Sequence, residues 1–170
     1  MKILIMGFKS SGKTTFGKTL SEYLSLPFHD SDDEIMKIFQ GYKSVREVFQ
    51  TVGESEFRKL EHEVIKTFTN KSVGVFALGG GSLDLDLNRN FLKSFSQRLF
   101  LDTELEVIKK RLGEQKDYPY SSNLLEKYTF RKSIFLNCCN MILEIEKQSP
   151  LQLLKQWKMK NKNQGADHAF

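Results

Sequence analysis

The sequence predicts a three-layer α/β protein built on a five-stranded parallel sheet, and three observations carry that prediction. Apolar runs of strand length recur along the chain, segments with apolar residues at helical spacing separate them, and the first run leads straight into a glycine-rich loop that opens a helix. Continuous apolar runs suit parallel strands buried on both faces, and strand–helix alternation places helices on both sides of one sheet.

Lys2–Met6 is the first predicted strand, followed by residues 27–30, 73–78, 98–101 and Met141–Ile145. Between them, residues 14–24 carry Phe16, Leu20 and Leu24 on one helical stripe. Residues 54–69 carry Phe57, Leu60, Val64, Ile65 and Phe68 on another, and Leu105, Ile108 and Leu112 mark a third. Residues 113–123 are polar, contain Pro119 and read as a mobile loop; residues 158–170 are polar and non-periodic and read as a flexible tail. A single domain over residues 1–157 is expected, without repeats or linkers.

In parallel sheets ligands bind beyond the carboxyl ends of the strands. After the first strand comes Gly7-Phe8-Lys9-Ser10-Ser11-Gly12-Lys13-Thr14, the pattern of a phosphate-binding loop in its required strand–loop–helix context. Its backbone N–H groups and the helix N-terminus suit phosphate oxygens, so Ser10, Ser11, Gly12 and Thr15 are nucleotide-binding candidates. Lys13 is placed to reach the outer phosphates and the Thr14 hydroxyl to ligate Mg²⁺. The motif predicts nucleoside triphosphate binding and leaves the acceptor open.

After the second strand comes Asp30-Ser31-Asp32. Carboxylates two residues apart on extended chain point the same way. Asp30 is a candidate for holding Mg²⁺ through water, and Asp32 for accepting a proton from an attacking hydroxyl. The competing reading is an acidic helix cap. Gly79, Gly80 and Gly81 end the third strand, where absent side chains let backbone approach a ligand. Arg58, with Glu54 four residues before and Glu61 three after, is either part of a surface ion-pair set or a guanidinium held for a substrate carboxylate. Arg111 and Arg131 flank the polar loop, and spacing alone selects neither.

The net charge of +5 is concentrated at the C-terminus, where residues 155–170 hold four lysines and one aspartate. That balance reads as a solvated tail plus cations facing anionic substrates rather than a nucleic-acid surface. No apolar run approaches the ~20 residues of a membrane span. Cys138 and Cys139 are neighbours without zinc or redox spacing, and read as reduced thiols of a cytoplasmic protein; His29, His62 and His168 show no ligand spacing.

Taken together, residues 7–15, Asp30-Ser31-Asp32, the run from Gly53-Glu54 through Phe57-Arg58 to Glu61, and Leu78-Gly79-Gly80-Gly81 resemble the shikimate kinase family. The resemblance covers about residues 1–147. It implies a P-loop kinase fold with a mobile lid over residues 113–123, acting as a monomer on ATP and shikimate with Mg²⁺ as cofactor. It implies transfer of the γ-phosphate of ATP to the shikimate 3-hydroxyl, in aromatic amino-acid biosynthesis. By motif match, Lys13 holds phosphates, Thr14 and Asp30 serve the metal, and Asp32 is the base. Arg58 and Arg131 take the substrate carboxylate, Gly79–Gly81 contact its hydroxyls, and Arg111 lies near the adenine. The sequence departs from the family at the lid, where Tyr118 stands at the position of an arginine; Lys116, two residues earlier, is the candidate substitute. The rivals are a gluconate-like or other carboxylated-polyol kinase, and a weakly catalytic nucleotide-binding module.

Overall fold

A computed structural model of the chain describes residues 1–113, 123–145 and 149–166, with side chains as far as Lys162. Five strands form one parallel sheet: β1 (Lys2–Met6), β2 (Phe28–Asp30), β3 (Gly74–Ala77), β4 (Gln97–Thr103) and β5 (Met141–Ile145), in the order β2-β3-β1-β4-β5. β1 is central, pairing Ile3 with Val75 on one side and with Gln97 on the other. Its Ile3, Leu4 and Ile5 are fully buried, as a strand covered on both faces requires.

Alternation along the strands feeds two cores. Leu4, Met6, Phe76 and Phe100 face one side, where they meet Ile65 and Phe68 of helix α3 (Val45–Thr69) and Phe135 of a later helix, Leu124–Cys138. Ile3, Ile5, Val75, Leu99 and Leu143 face the other, against Phe16 and Leu20 of α1 (Lys13–Leu24) and Trp157 of the C-terminal helix Pro150–Ala166. Two shorter helices, α2 (Ser31–Ile38) and α4 (Asp86–Arg89), follow β2 and β3. α5 (Leu105–Gly113) follows β4, and the helices from Leu124 and Pro150 are α6 and α7. No helix among the described residues is long and apolar enough to cross a membrane.

The predicted strands are all present, with β4 two residues longer at its carboxyl end and β3 trimmed to Gly74–Ala77. Two expectations change. Asp30 and Asp32 do not share an extended segment: the chain turns into α2 at Ser31, with Asp30 as its N-cap accepting the Asp32 amide at 3.0 Å. The predicted tail is also largely helix. α7 runs to Ala166, with Lys160 donating to the Ile142 carbonyl and Asn161 accepting from Gln97. The lid expected over residues 113–123 falls mostly on 114–122, outside the described residues, as do Lys116 and Tyr118. Cys138 and Cys139 are free thiols at the end of α6, and burial pushes both pKa values up.

α3 begins earlier than residue 54 because it is two helical pieces joined at Gly53, whose φ of 81° and ψ of 164° belong to a region open essentially to glycine. A Cβ at Gly53 would meet no atom within 4 Å, so the requirement is conformational rather than steric. Gly53→Ala is therefore expected to destabilise the protein by about 1–3 kcal/mol, read as a lower urea midpoint at unchanged slope.

Candidate active site

Because every strand is parallel, the loops after β1, β2 and β3 open on the same edge, and they line one cavity of about 650 Å³. The loop after β1 is shaped by three residues at positive φ, Gly7 (157°), Ser10 (62°) and Gly12 (96°), before α1 starts at Lys13. Lys13 Nζ donates to the Phe8 carbonyl at 2.8 Å, closing the loop on itself. Burial lowers the Lys13 pKa to about 8, even against the attraction of Asp32 and Asp30. Arg111 of α5 lies across the same loop and donates from Nη1 to the Ser10 carbonyl at 2.9 Å. The Ser11 hydroxyl is buried with no hydrogen-bond partner among the described residues. A loop with an unanswered donor, a closing lysine and a bridging arginine is suited to receive anionic oxygens.

Thr14 Oγ1 donates to Asp30 Oδ2 at 2.6 Å, which brings the two expected metal-serving groups together. Two hard oxygen donors side by side, next to a phosphate loop, fit Mg²⁺, which keeps several waters and takes few protein ligands. Among the described residues no group of three or more His, Cys, Asp or Glu has the arrangement of an all-protein metal cage. Asp32, the second residue of α2, lines the cavity. Burial and then the Asp30 charge push its pKa up to about 6, with Lys13 opposing. A carboxyl tuned towards neutrality is a suitable general base.

The far end of the cavity is an ion-pair network. Arg58 Nη1 donates to Glu61 Oε2, and its Nη2 lies 3.4 Å from Glu54 and 3.6 Å from Asp84. Arg131 of α6, only 5% exposed, grips Asp84 through Nε and Nη2, the latter at 2.6 Å. Glu61 is 2% exposed and also accepts from the Ser82 hydroxyl at 2.6 Å. Aromatic rings back the cations: Phe49 and Phe57 lie about 6 Å from the Arg58 guanidinium, and Phe8 lies 5.5 Å from that of Arg131. Two guanidiniums held this way present a paired cationic face to a carboxylate.

The glycine triplet lies between these parts, and close approach dictates each residue. A Cβ on Gly79 would come within 2.8 Å of Glu61 Oε1 and 3.1 Å of Asp32 Oδ1. On Gly80 it would lie 2.7 Å from the Lys9 amide nitrogen, and on Gly81 2.7 and 2.8 Å from Arg131 and Arg58 nitrogens. The Gly79 N–H is committed to Ser31 Oγ at 2.8 Å, which ties the loop after β3 to the start of α2.

The predicted residues thus converge: Ser10, Ser11, Gly12, Lys13, Thr14, Thr15, Asp30, Asp32, Arg58, the glycine triplet, Arg111 and Arg131 all line the one cavity. Arg58 carries the expected ion pairs and also lines the cavity. Reading the sequence did not identify Asp84, Ser31 and Ser82, which position the arginines and the triplet, nor the cavity-lining Lys9, Arg46, Phe49 and Phe57. Asp84 follows the triplet by three residues, and that offset is its one local signal.

Removing Glu61 strands a partly buried arginine and a buried hydroxyl. Glu61→Ala is expected to cost about 3 kcal/mol or more in urea unfolding. Glu54→Ala, at an exposed pair, is expected to cost under about 1 kcal/mol.

Comparison with known proteins agrees with this geometry. The family model described as shikimate kinase matches residues 9–160. A shikimate kinase of Aquifex aeolicus is 37% identical over 127 residues, spanning 75% of this chain and 74% of that protein. One from a Sulfurihydrogenibium species is 32% identical over 159 residues, spanning 91% and 93%. Among solved structures, shikimate kinase from Acinetobacter baumannii in complex with shikimate superposes with a TM-score of 0.83 at 27% identity, covering 95% of this chain and 93% of that one. The Aquifex aeolicus enzyme superposes at 0.80 with 30% identity, covering 98% and 99%. The phosphate loop, the carboxylates of α2, the paired arginines and these matches over nearly the whole chain make it a member of the shikimate kinase family, an ATP-dependent phosphotransferase acting on an alcohol group.

Proposed function

We propose that this protein transfers the γ-phosphoryl group of ATP to the 3-hydroxyl of shikimate, with the roles divided along the cavity. The observation that carries the reading is the placement of Arg58 and Arg131 at one end, Asp32 in the middle and the phosphate loop beyond it. A substrate with a carboxylate at one side and a hydroxyl at the other fits that order.

Arg58 and Arg131 bind the carboxylate, and the close-packed backbone of Gly79, Gly80 and Gly81 accommodates the ring and its hydroxyls. Asp32 orients the reacting hydroxyl and takes its proton as the oxygen–phosphorus bond forms. The bond between the γ-phosphorus and the bridging oxygen breaks, and ADP leaves with that electron pair. Lys13, with the N–H groups of Ser10, Gly12, Thr14 and Thr15 and the Ser11 hydroxyl, holds the phosphates. Arg111 and the apolar wall of Ile145 and Pro150 take the adenine end. Mg²⁺, which Thr14 would ligate and Asp30 would hold through water, supplies charge neutralisation at the phosphates. Positioning and charge stabilisation account for most of the acceleration in such transfers. Lys116 is the cation assigned to the lid in place of an arginine, and Lys116→Ala should raise the KM for ATP or lower kcat.

The decisive experiment is ADP release from Mg-ATP with shikimate, with gluconate and with no acceptor. Stimulation by shikimate alone is the expected result; stimulation by gluconate alone would reassign the substrate. Asp32→Asn should reduce shikimate-dependent kcat by about 100-fold or more while leaving Mg-ADP binding intact.

The two shifted groups also set a pH profile. Asp32 works ionised, so activity is present above about 6 and is lost as pH falls through that value. Lys13 works protonated, so activity is retained below about 8 and is lost as pH rises through it. The free-enzyme quantity kcat/KM should therefore be bell-shaped with limbs near these values, and Asp32→Asn should abolish the acid limb.

A further inference from the structure

Lys9 occupies the third position of the phosphate loop, and the loop motif gives that position no chemistry. In this protein its surroundings are specific. Its backbone packs on Gly80, where an added Cβ would lie 2.7 Å from the Lys9 nitrogen and 3.3 Å from its Cα. The donor loop and the acceptor wall therefore touch at this residue. The Lys9 side chain is half-buried and lines the cavity. It interacts electrostatically with Asp32 on α2, with Arg46 on the first piece of α3 and with Lys13 at the start of α1.

Asp32 is the group that meets the acceptor hydroxyl, and Lys13 the one that meets the departing phosphates. A cation that lines the same cavity and interacts electrostatically with both groups borders the path along which the phosphoryl group travels. We propose that Lys9 is a second phosphoryl-binding cation, holding the transferring group from the acceptor side while Lys13 holds it from the donor side. This inference rests on the kinase reading above.

Chemistry supports the choice of lysine. In the transition state negative charge spreads over three equatorial oxygens that move away from ADP. A compact ammonium with three donors on a flexible stem can follow them, where a fixed planar fork would not. Burial and the Arg46 charge both act to discharge Lys9, with Asp32 opposing them, and an arriving anion would relieve that strain. An interaction formed with the moving group, rather than with ground-state ADP, appears in kcat more than in nucleotide affinity.

The test compares wild type, Lys9→Met and Lys9→Arg by calorimetry with Mg-ADP, by calorimetry with Mg-ADP plus beryllium fluoride as the γ-phosphoryl mimic, and by turnover with shikimate. Mg-ADP affinity is expected to stay within about twofold in all three proteins. The beryllium fluoride complex should weaken about tenfold in Lys9→Met, and kcat should fall by about tenfold or more, with partial recovery in Lys9→Arg. Unchanged beryllium fluoride binding in Lys9→Met would overturn the proposal. So would an equal loss of Mg-ADP affinity, because Lys9 would then merely shape the loop. The beryllium fluoride arm needs no acceptor. A wild-type protein that binds this complex but ignores shikimate would thus defeat the substrate assignment, while Lys9 would still be judged on binding.

Discussion

The buried Glu61 carboxylate is the interaction on which the acceptor half of the cavity depends. It holds Arg58 on its own helix and the Ser82 hydroxyl beyond the glycine triplet, so it fixes α3 to the loop after β3. Asn88 extends the tie, donating to the Ser82 carbonyl and pairing with the His62 ring. A buried carboxylate is costly to desolvate, and it is tolerated here because both oxygens are answered by donors. Its charge in turn raises the Arg58 pKa: burial acts to lower it, and Glu61 followed by Asp84 outweighs that.

The donor half is organised differently. It relies on backbone geometry more than on ion pairs, with Ser10 and Gly12 at positive φ and Lys13 folded back onto the Phe8 carbonyl. The two halves meet through short contacts at the glycine triplet, where no side chain would fit between Asp32, Lys9 and the two arginines. That crowding explains why three successive glycines occur although none of them needs a left-handed backbone: space, not conformation, is what they provide.

Much of this was legible in the sequence because the donor half is local. The phosphate loop, Asp30, Asp32 and the triplet are short motifs tied to strand ends, and a parallel sheet brings strand ends together. The arginine helix was legible from residue 54 onward, but Gly53 hid its first piece by breaking the periodicity. α6 and α7 were missed because their apolar residues are scattered around the helix rather than aligned in a stripe. Asp84 and the aromatic backing of the arginines come from contacts between segments distant in sequence, such as the 47 residues separating Arg131 from Asp84. No local pattern encodes such pairs. The acidic N-cap and the functional carboxylate need not exclude one another at Asp30: one oxygen caps α2 and the other accepts from the Thr14 hydroxyl.

The break at Gly53 divides the acceptor wall between two helical pieces. Arg58 and Glu61 belong to the long second piece, whose Ile65 and Phe68 are packed into the sheet core. Arg46 and Phe49 belong to the short first piece, on the other side of the one residue whose backbone departs from the helix, and Val48 seats that piece in the same core. The angle at which Arg46 and Phe49 meet the cavity is thereby set by one glycine's backbone, whereas that of Arg58 is set by unbroken helix.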